Sequence, residues 1–306
     1  MNLRGQRLLT SPPLAFLLGV LGVLAFIPSA RAGENDANAD YLLHLPGIAG
    51  YRWVDRQMVT GLREGGYAGR LAMRDWTADH QGLEALLNRP LHERESKVVA
   101  DALTKRYREN PNRRIIITSH SGGTGIAVWA LEKLPDDVKV DTVVMLASAL
   151  SPDYDLTSAL RHVRGKVYAF NSLTDTLVLG VGTRTFGTVD GVKCDAAGRC
   201  GFALPEGADE QEYKKLAQVP YNAAWMALGN IGDHIGPMSG PFARDVLAPV
   251  VRGQPIKLVT AATQHAAQAE SHASNLPPAH EPAVGEQARQ PDRRVKQHRA
   301  ADAGRQ

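Results

Sequence analysis

Cysteine is nearly absent: 306 residues hold two, Cys194 and Cys200, far too few for a disulfide-built scaffold. As metal ligands they lack further Cys or His partners at zinc spacing, so no metal is expected. The stretch between them, CDAAGRC, contains Gly198 and small residues that let the chain double back, and a local disulfide is the expectation. A basic surplus is missing as well. The formal charge is +3, and Arg4, Arg7 and Arg31 of the N-terminal segment account for all of it. The remainder is neutral and has no basic stripe, which argues against nucleic acid as a partner. There is no phosphate-binding glycine loop, dinucleotide fingerprint or His-Glu-x-x-His stretch, so no cofactor is expected. No internal repeat is evident.

What is present begins with an N-terminal segment of secretory type. Arg4 and Arg7 precede an apolar run from Leu14 to Ile27, and Ala30-Arg31-Ala32 offers small residues for cleavage before Gly33. Residues 1–32 are therefore read as a signal peptide and the mature protein as secreted or resident in the cell envelope. An uncleaved anchor is the alternative, although the run is short for a membrane span. A polar linker occupies 33–39. From about Gln254 the composition turns to Ala, Gln, His, Pro and Arg, and 254–306 is expected to be a disordered tail.

Between them, 40–253 alternates short apolar runs with amphipathic stretches. Strands are expected at Tyr41–Leu45, Leu71–Trp76, in RIIIT, DTVVMLAS and KVYAFNS, and more weakly in AAWMALGN. Helices are expected in VDRQMVTGLREGG, ESKVVADALTKRYRENPN and GPFARDVLAPVV, with a helix-like DEQEYKKLAQ. This alternation predicts an α/β fold with a mostly parallel sheet flanked by helices on both faces. Such sheets bind ligands at the carboxyl ends of their strands.

One of those ends carries Ser119-His120-Ser121-Gly122-Gly123, set between a strand and a helix. A nucleophile on such a turn sits on strained backbone and needs small residues two positions to either side. Centring on Ser121 satisfies that with Ser119 and Gly123; centring on Ser119 would put bulky Ile117 at a flank. The stretch resembles the nucleophile elbow of the α/β-hydrolase family, G-x-S-x-G, with Ser119 in the first glycine's place. A turn that only packs, or that holds an anion, is the competing reading.

The resemblance implies that a serine, an acid and a histidine follow in that order along the chain. Downstream of Ser121 the folded region holds two histidines. His162 lies in a helical stretch just before a strand, at the wrong end of the sheet, and His234 lies in the loop GNIGDHIGPMS. His234 is the expected base. Asp175, just beyond the strand KVYAFNS, is the expected acid, with Asp153 and Asp155 after the preceding strand as rivals; Asp233 is badly placed to meet the ring of its neighbour. The oxyanion donors implied are the N–H of Gly122 and one from HLPGIAG, which resembles the family's H-G-x-x-G with Pro46 in the histidine's place. Proline has no N–H, so the donor falls to Ile48 or Gly47. His44 and His120 are read as structural.

Only about 15 residues separate DTVVMLAS from KVYAFNS, too few for a large cap; the insertion lies between Asp175 and His234. Leu177, Phe186 and Trp225 are candidate pocket walls, or else core. The expected activity is cleavage of a small-molecule or lipid carboxylic ester. Acyl transfer, thioester or amide cleavage, or mere binding of an acyl ligand, remain open on the same scaffold.

Overall fold

A computed structural model describes residues 38–256. The expected signal segment, most of the expected linker and nearly all of the expected tail lie outside the described residues. Six strands form one sheet: β1 (Tyr41–Leu45), β2 (Arg70–Met73), β3 (Ile115–His120), β4 (Val140–Leu146), β5 (Val163–Asn171) and β6 (Leu216–Pro220). Their order is β2-β1-β3-β4-β5-β6 and every pairing is parallel.

Both faces of the sheet are covered, which is why its strands read as unbroken apolar runs rather than as alternating ones. On one face Leu43, Ile117, Val143 and Met145 pack against α3 (Arg89–Glu109) and α4 (Gly123–Glu132) through Leu103, Ile126 and Ala127. On the other, Leu42, Ile116, Val144 and Phe170 meet α1 (Trp53–Glu64) and the closing helical run 240–251 through Met58, Leu62, Phe242 and Leu247. The period of two along each strand assigns alternate residues to the two cores. Asn88 caps α3 by accepting from the Leu91 N–H at 3.0 Å, and Pro90 in the first turn has no N–H to leave unpaired; the helix thus starts earlier than its apolar spacing suggests.

The strand order reverses between β1 and β3, since β1 leads outward to β2 while β3 leads the other way to β4, β5 and β6. The crevice at the carboxyl ends of β1 and β3 is the switch point where a sheet of this kind binds its ligand. This is the parallel sheet, flanked by helices on both faces and without a large cap, that the resemblance to the α/β-hydrolase family implies.

Three expectations change. The sixth strand is Leu216–Pro220, not AAWMALGN. The helix starting at Glu210 stops after Tyr213, and the chain then extends to pair with β5, with Val167 beside Leu216 and Asn171 beside Pro220. Ala223–Leu228 is instead a 3₁₀ turn between the Asn222 cap, whose side chain accepts from the Ala224 N–H, and Gly229 at φ +77°. That turn drives Trp225 into the core, 1% exposed among Phe170, Phe242 and Tyr221, so Trp225 is not a pocket wall of the crevice. The cysteines are unpaired: Cys200 ends the one-turn helix Ala197–Cys200, and its Sγ turns back on the Ala196 carbonyl at 3.4 Å instead of meeting Cys194. Burial, joined by neighbouring carboxylates, holds both thiols above their usual range.

Trp225→Ala is expected to cost about 3–5 kcal/mol of stability, measured by denaturant titration, because it empties an aromatic cluster. A change in substrate preference without loss of stability would return Trp225 to the pocket.

Candidate active site

The turn after β3 sets the site. Ser121 has φ +51°, a left-handed conformation that non-glycine residues rarely adopt. The strain is held from all sides. The Ser121 N–H donates to Leu146 O at 3.0 Å, and its carbonyl accepts from the Thr124 hydroxyl at 2.6 Å, from the Thr124 N–H at 3.0 Å and from the Ala149 N–H at 3.3 Å. Thr124 Oγ1 is itself 3.0 Å from the hydroxyl of Ser148. The chain then enters α4 so close to the end of β1 that a Cβ at Gly123 would lie 2.3 Å from Pro46 O. A Cβ at Gly122 would lie 2.5 Å from Ile48 Cγ2, a side-chain methyl, so Gly123, set against backbone, is the steric requirement. At the other flank Ser119 is fully buried and its hydroxyl donates to Val144 O at 3.3 Å, showing how serine fits where the family pattern has glycine.

His234 Nε2 lies 2.9 Å from Ser121 Oγ, and His234 Nδ1 lies 2.7 Å from Asp175 Oδ2. The carboxylate accepts from Nδ1–H, which leaves Nε2 free to accept from the serine hydroxyl. Asp175 is buried, 3% exposed. The structure thus brings together the serine, acid and histidine expected from the sequence, each from the carboxyl end of a strand or the loop over it. The rivals fall elsewhere. His162 is buried before β5, with its Nδ1 3.0 Å from Val138 O; Asp155 caps the Thr157 N–H and is exposed; Asp153 is exposed; and Asp233 accepts from the Gly236 N–H at 2.7 Å.

Two amides lie at this turn. Gly122 follows it directly, and the Ile48 nitrogen lies 3.7 Å from the position of a Cβ at Gly122. The Pro46–Gly50 loop that presents Ile48 is braced by Trp76, whose indole N–H donates to Pro46 O at 2.7 Å, and by a turn from the Gly50 N–H to Gly47 O at 3.0 Å. Gly50 has φ +71°, and a Cβ there would lie 2.7 Å from an Asp75 oxygen. The Ile48 amide lies beside Gly122, and Gly47 approaches the serine itself, a Cβ there lying 3.2 Å from Ser121 Cβ.

Sequence spacing missed the groups that hold this arrangement. The hydroxyls of Ser172 and Thr174 both donate to Gly232 O, at 2.6 and 2.8 Å, tying the acid's loop to the histidine's loop. Both residues stand just before Asp175, but no sequence pattern announces a shared acceptor 60 residues away. His120, next to the serine, donates from Nε2–H to the His234 backbone carbonyl at 2.9 Å, and the two rings lie 4.9 Å apart. Burial, then the neighbouring His234, pushes the His120 pKa down to about 4, so at neutral pH it is an uncharged donor. Behind them His44 bridges Asp55 Oδ1 (2.9 Å) and Thr118 Oγ1 (3.0 Å), wholly buried and away from the serine. Burial works to raise Asp55, yet the bonds from His44 and the Arg52 N–H hold its carboxyl below the usual range.

Among the described residues no group of His, Cys, Asp and Glu is arranged to hold a metal ion, and no helix is long and apolar enough to cross a membrane. Leu177 and Phe186, two of the expected pocket walls, line an opening beside Ser121.

No protein-family model and no curated protein matches the chain. Among solved structures it is similar to Aspergillus fumigatus lipase B, at 13% identity and TM-score 0.48, over 76% of this chain and 57% of the lipase. The esterase domain of a Rhodothermus marinus protein is similar at 14% identity and TM-score 0.39, over 73% and 90%. A dienelactone hydrolase from Anabaena variabilis is similar at 19% and 0.37, over 72% and 87%. Chemistry is therefore argued from the site itself.

Because His120 is neutral when folded and takes up a proton when unfolded, its contribution to stability is present above about pH 6.5 and is lost as pH falls through about 4. His120→Gln is expected to flatten the acid limb of a stability–pH profile between those values. An unchanged acid limb, followed by thermal melting, would contradict a buried neutral imidazole.

Proposed function

We propose that the chain is a secreted serine hydrolase of the α/β-hydrolase family that cleaves a carboxylic ester. The observation that carries this is the hydrogen-bonded row from Asp175 through His234 to Ser121, which ends on a hydroxyl held on a strained turn. A protein that only bound an acyl ligand would have no use for that alignment.

In this reading Ser121 Oγ attacks the ester carbonyl carbon while its proton passes to His234 Nε2. The carbonyl π electrons move onto the oxygen, where the Gly122 and Ile48 N–H groups stabilise the developing charge. Asp175 keeps Nδ1 protonated and stabilises the imidazolium. The intermediate collapses with cleavage of the carbon–alkoxy bond, and the leaving oxygen takes the proton from Nε2. Water then attacks the acyl-serine, giving its proton to Nε2. Collapse returns that proton to Ser121 Oγ and releases the carboxylic acid. His120 and the Ser172–Thr174–Gly232 tether act through position, keeping the imidazole within reach of both partners.

Thioester or amide cleavage, or acyl transfer, would use the same groups and differ only in leaving group or acceptor. The N-terminal arginines and apolar run support export with cleavage before Gly33, to be tested by N-terminal sequencing of the exported protein.

Ser121→Ala is expected to lower kcat on p-nitrophenyl esters by at least about 10⁴-fold and to abolish labelling by a fluorophosphonate probe. Asp175→Asn is expected to lower it on the order of 10⁴-fold with the fold intact, since the wrong tautomer then faces the serine. Turnover surviving in Ser121→Ala would sink the mechanism.

A further inference from the structure

Two separate openings meet at Ser121, and they differ in what lines them. One, of about 290 Å³, runs under the Gly47–Asp55 segment and is lined by His234, His120, Arg52, Trp53 and Ile235. The other, of about 240 Å³, lies between the Leu177–Gly182 turn and α2 (Leu83–Leu87) and is lined by Leu83, Leu86, Ala149, Leu177 and Phe186, with Thr183 its main polar side chain besides Ser121. Ser121, Ile48 and Val178 line both and form the divide.

Proton bookkeeping chooses between the two. The leaving oxygen must receive its proton from His234 Nε2, so the alcohol half has to lie on the side that His234 lines. His234 lines the first opening and not the second. The acyl half then points the other way, into a wall with no charged side chain. The second opening continues outward over Leu177 and Phe186, which are 82% and 48% exposed, a cost in water that an apolar ligand would offset. A cavity of about 150 Å³ is enough to hold benzene, so 240 Å³ is room for a chain on the order of eight to ten carbons.

We propose that the cleft is directional: an apolar, medium-length acyl chain occupies the Leu83–Leu86–Phe186 side, and a bulky alcohol occupies the Trp53–Ile235 side next to His234. This rests on the serine-hydrolase reading of the same site. It makes the acyl chain the half selected by apolar burial, worth about 0.8 kcal/mol per methylene, or roughly fourfold in kcat/KM for each one buried. The alcohol half is selected separately, by the loop that also carries the Ile48 amide.

The test separates the two halves. Wild type is assayed on p-nitrophenyl acetate, octanoate and palmitate, and on methyl and naphthyl octanoate, and is treated with a fluorophosphonate probe. The octanoate is expected to exceed both acetate and palmitate in kcat/KM. Leu86→Phe, which fills the inner end, should cut the octanoate-to-acetate ratio about tenfold. Leu177→Trp, on the exposed rim and therefore harmless to folding, should move the same ratio. Trp53→Ala should move the naphthyl-to-methyl ratio and not the chain-length ratio. A chain-length profile that is flat, or that responds to Trp53→Ala and not to Leu86→Phe and Leu177→Trp, overturns the directional assignment while probe labelling of Ser121 leaves the hydrolase reading standing. No turnover of any ester together with no labelling overturns both.

Discussion

The left-handed backbone at Ser121 is the constraint on which the site depends. A serine at φ +51° is held only if its neighbours permit a very close approach of β1, β3 and α4. The carbonyl of Pro46 would lie 2.3 Å from any Cβ at Gly123, and the Ile48 side chain as close to one at Gly122. The same crowding that forces glycine at Gly123 brings the Ile48 amide to the side of Gly122. Strain, glycine and the proposed oxyanion donors thus share one steric origin.

A second layer fixes the histidine. His234 stands on a loop with little regular structure, and its ring is aimed by contacts to its backbone rather than by a helix or strand. Ser172 and Thr174 hold Gly232 O, and His120 holds the His234 carbonyl. The Ser172 bond is buried and the other two are part-buried; losing the buried one would leave an unpaired group at a cost of about 1–3 kcal/mol, so the loop has one favoured position. The neutrality of His120 serves this, because a charged imidazole 4.9 Å from His234 would repel the imidazolium of the proposed reaction.

Much of the parallel sheet was legible because strands buried on both faces are runs of Leu, Ile and Val, and the turn at Ser121 was legible because close approach allows only small residues there. Asp175 and His234 could be named from their order and from their places beyond strand ends. β6 was misjudged because LAQVP is short and carries a glutamine and a proline, as an edge strand tolerates; its pairing with β5, not its apolar pattern, makes it a strand. From the sequence Trp225 reads equally well as pocket wall or as core, a large aromatic near a loop histidine serving either; its burial among Phe170, Phe242 and Tyr221 makes it core. The cysteine pair suggested a disulfide from spacing alone, whereas the one-turn helix at Ala197–Cys200 turns the second sulfur elsewhere.

The sequence by itself determined the class of sheet, the strained serine turn and the three residues able to share a proton, because each is written in local pattern: apolar runs, small flanking residues and order along the chain. Tertiary structure alone decided which amide joins Gly122, which hydroxyls tether the histidine loop and which apolar side chains open onto Ser121. Those are contacts between residues far apart in the chain, 60 positions for Ser172 with Gly232 and 114 for His120 with His234, and they follow from where the strand ends converge, a property of the folded sheet that no local stretch contains.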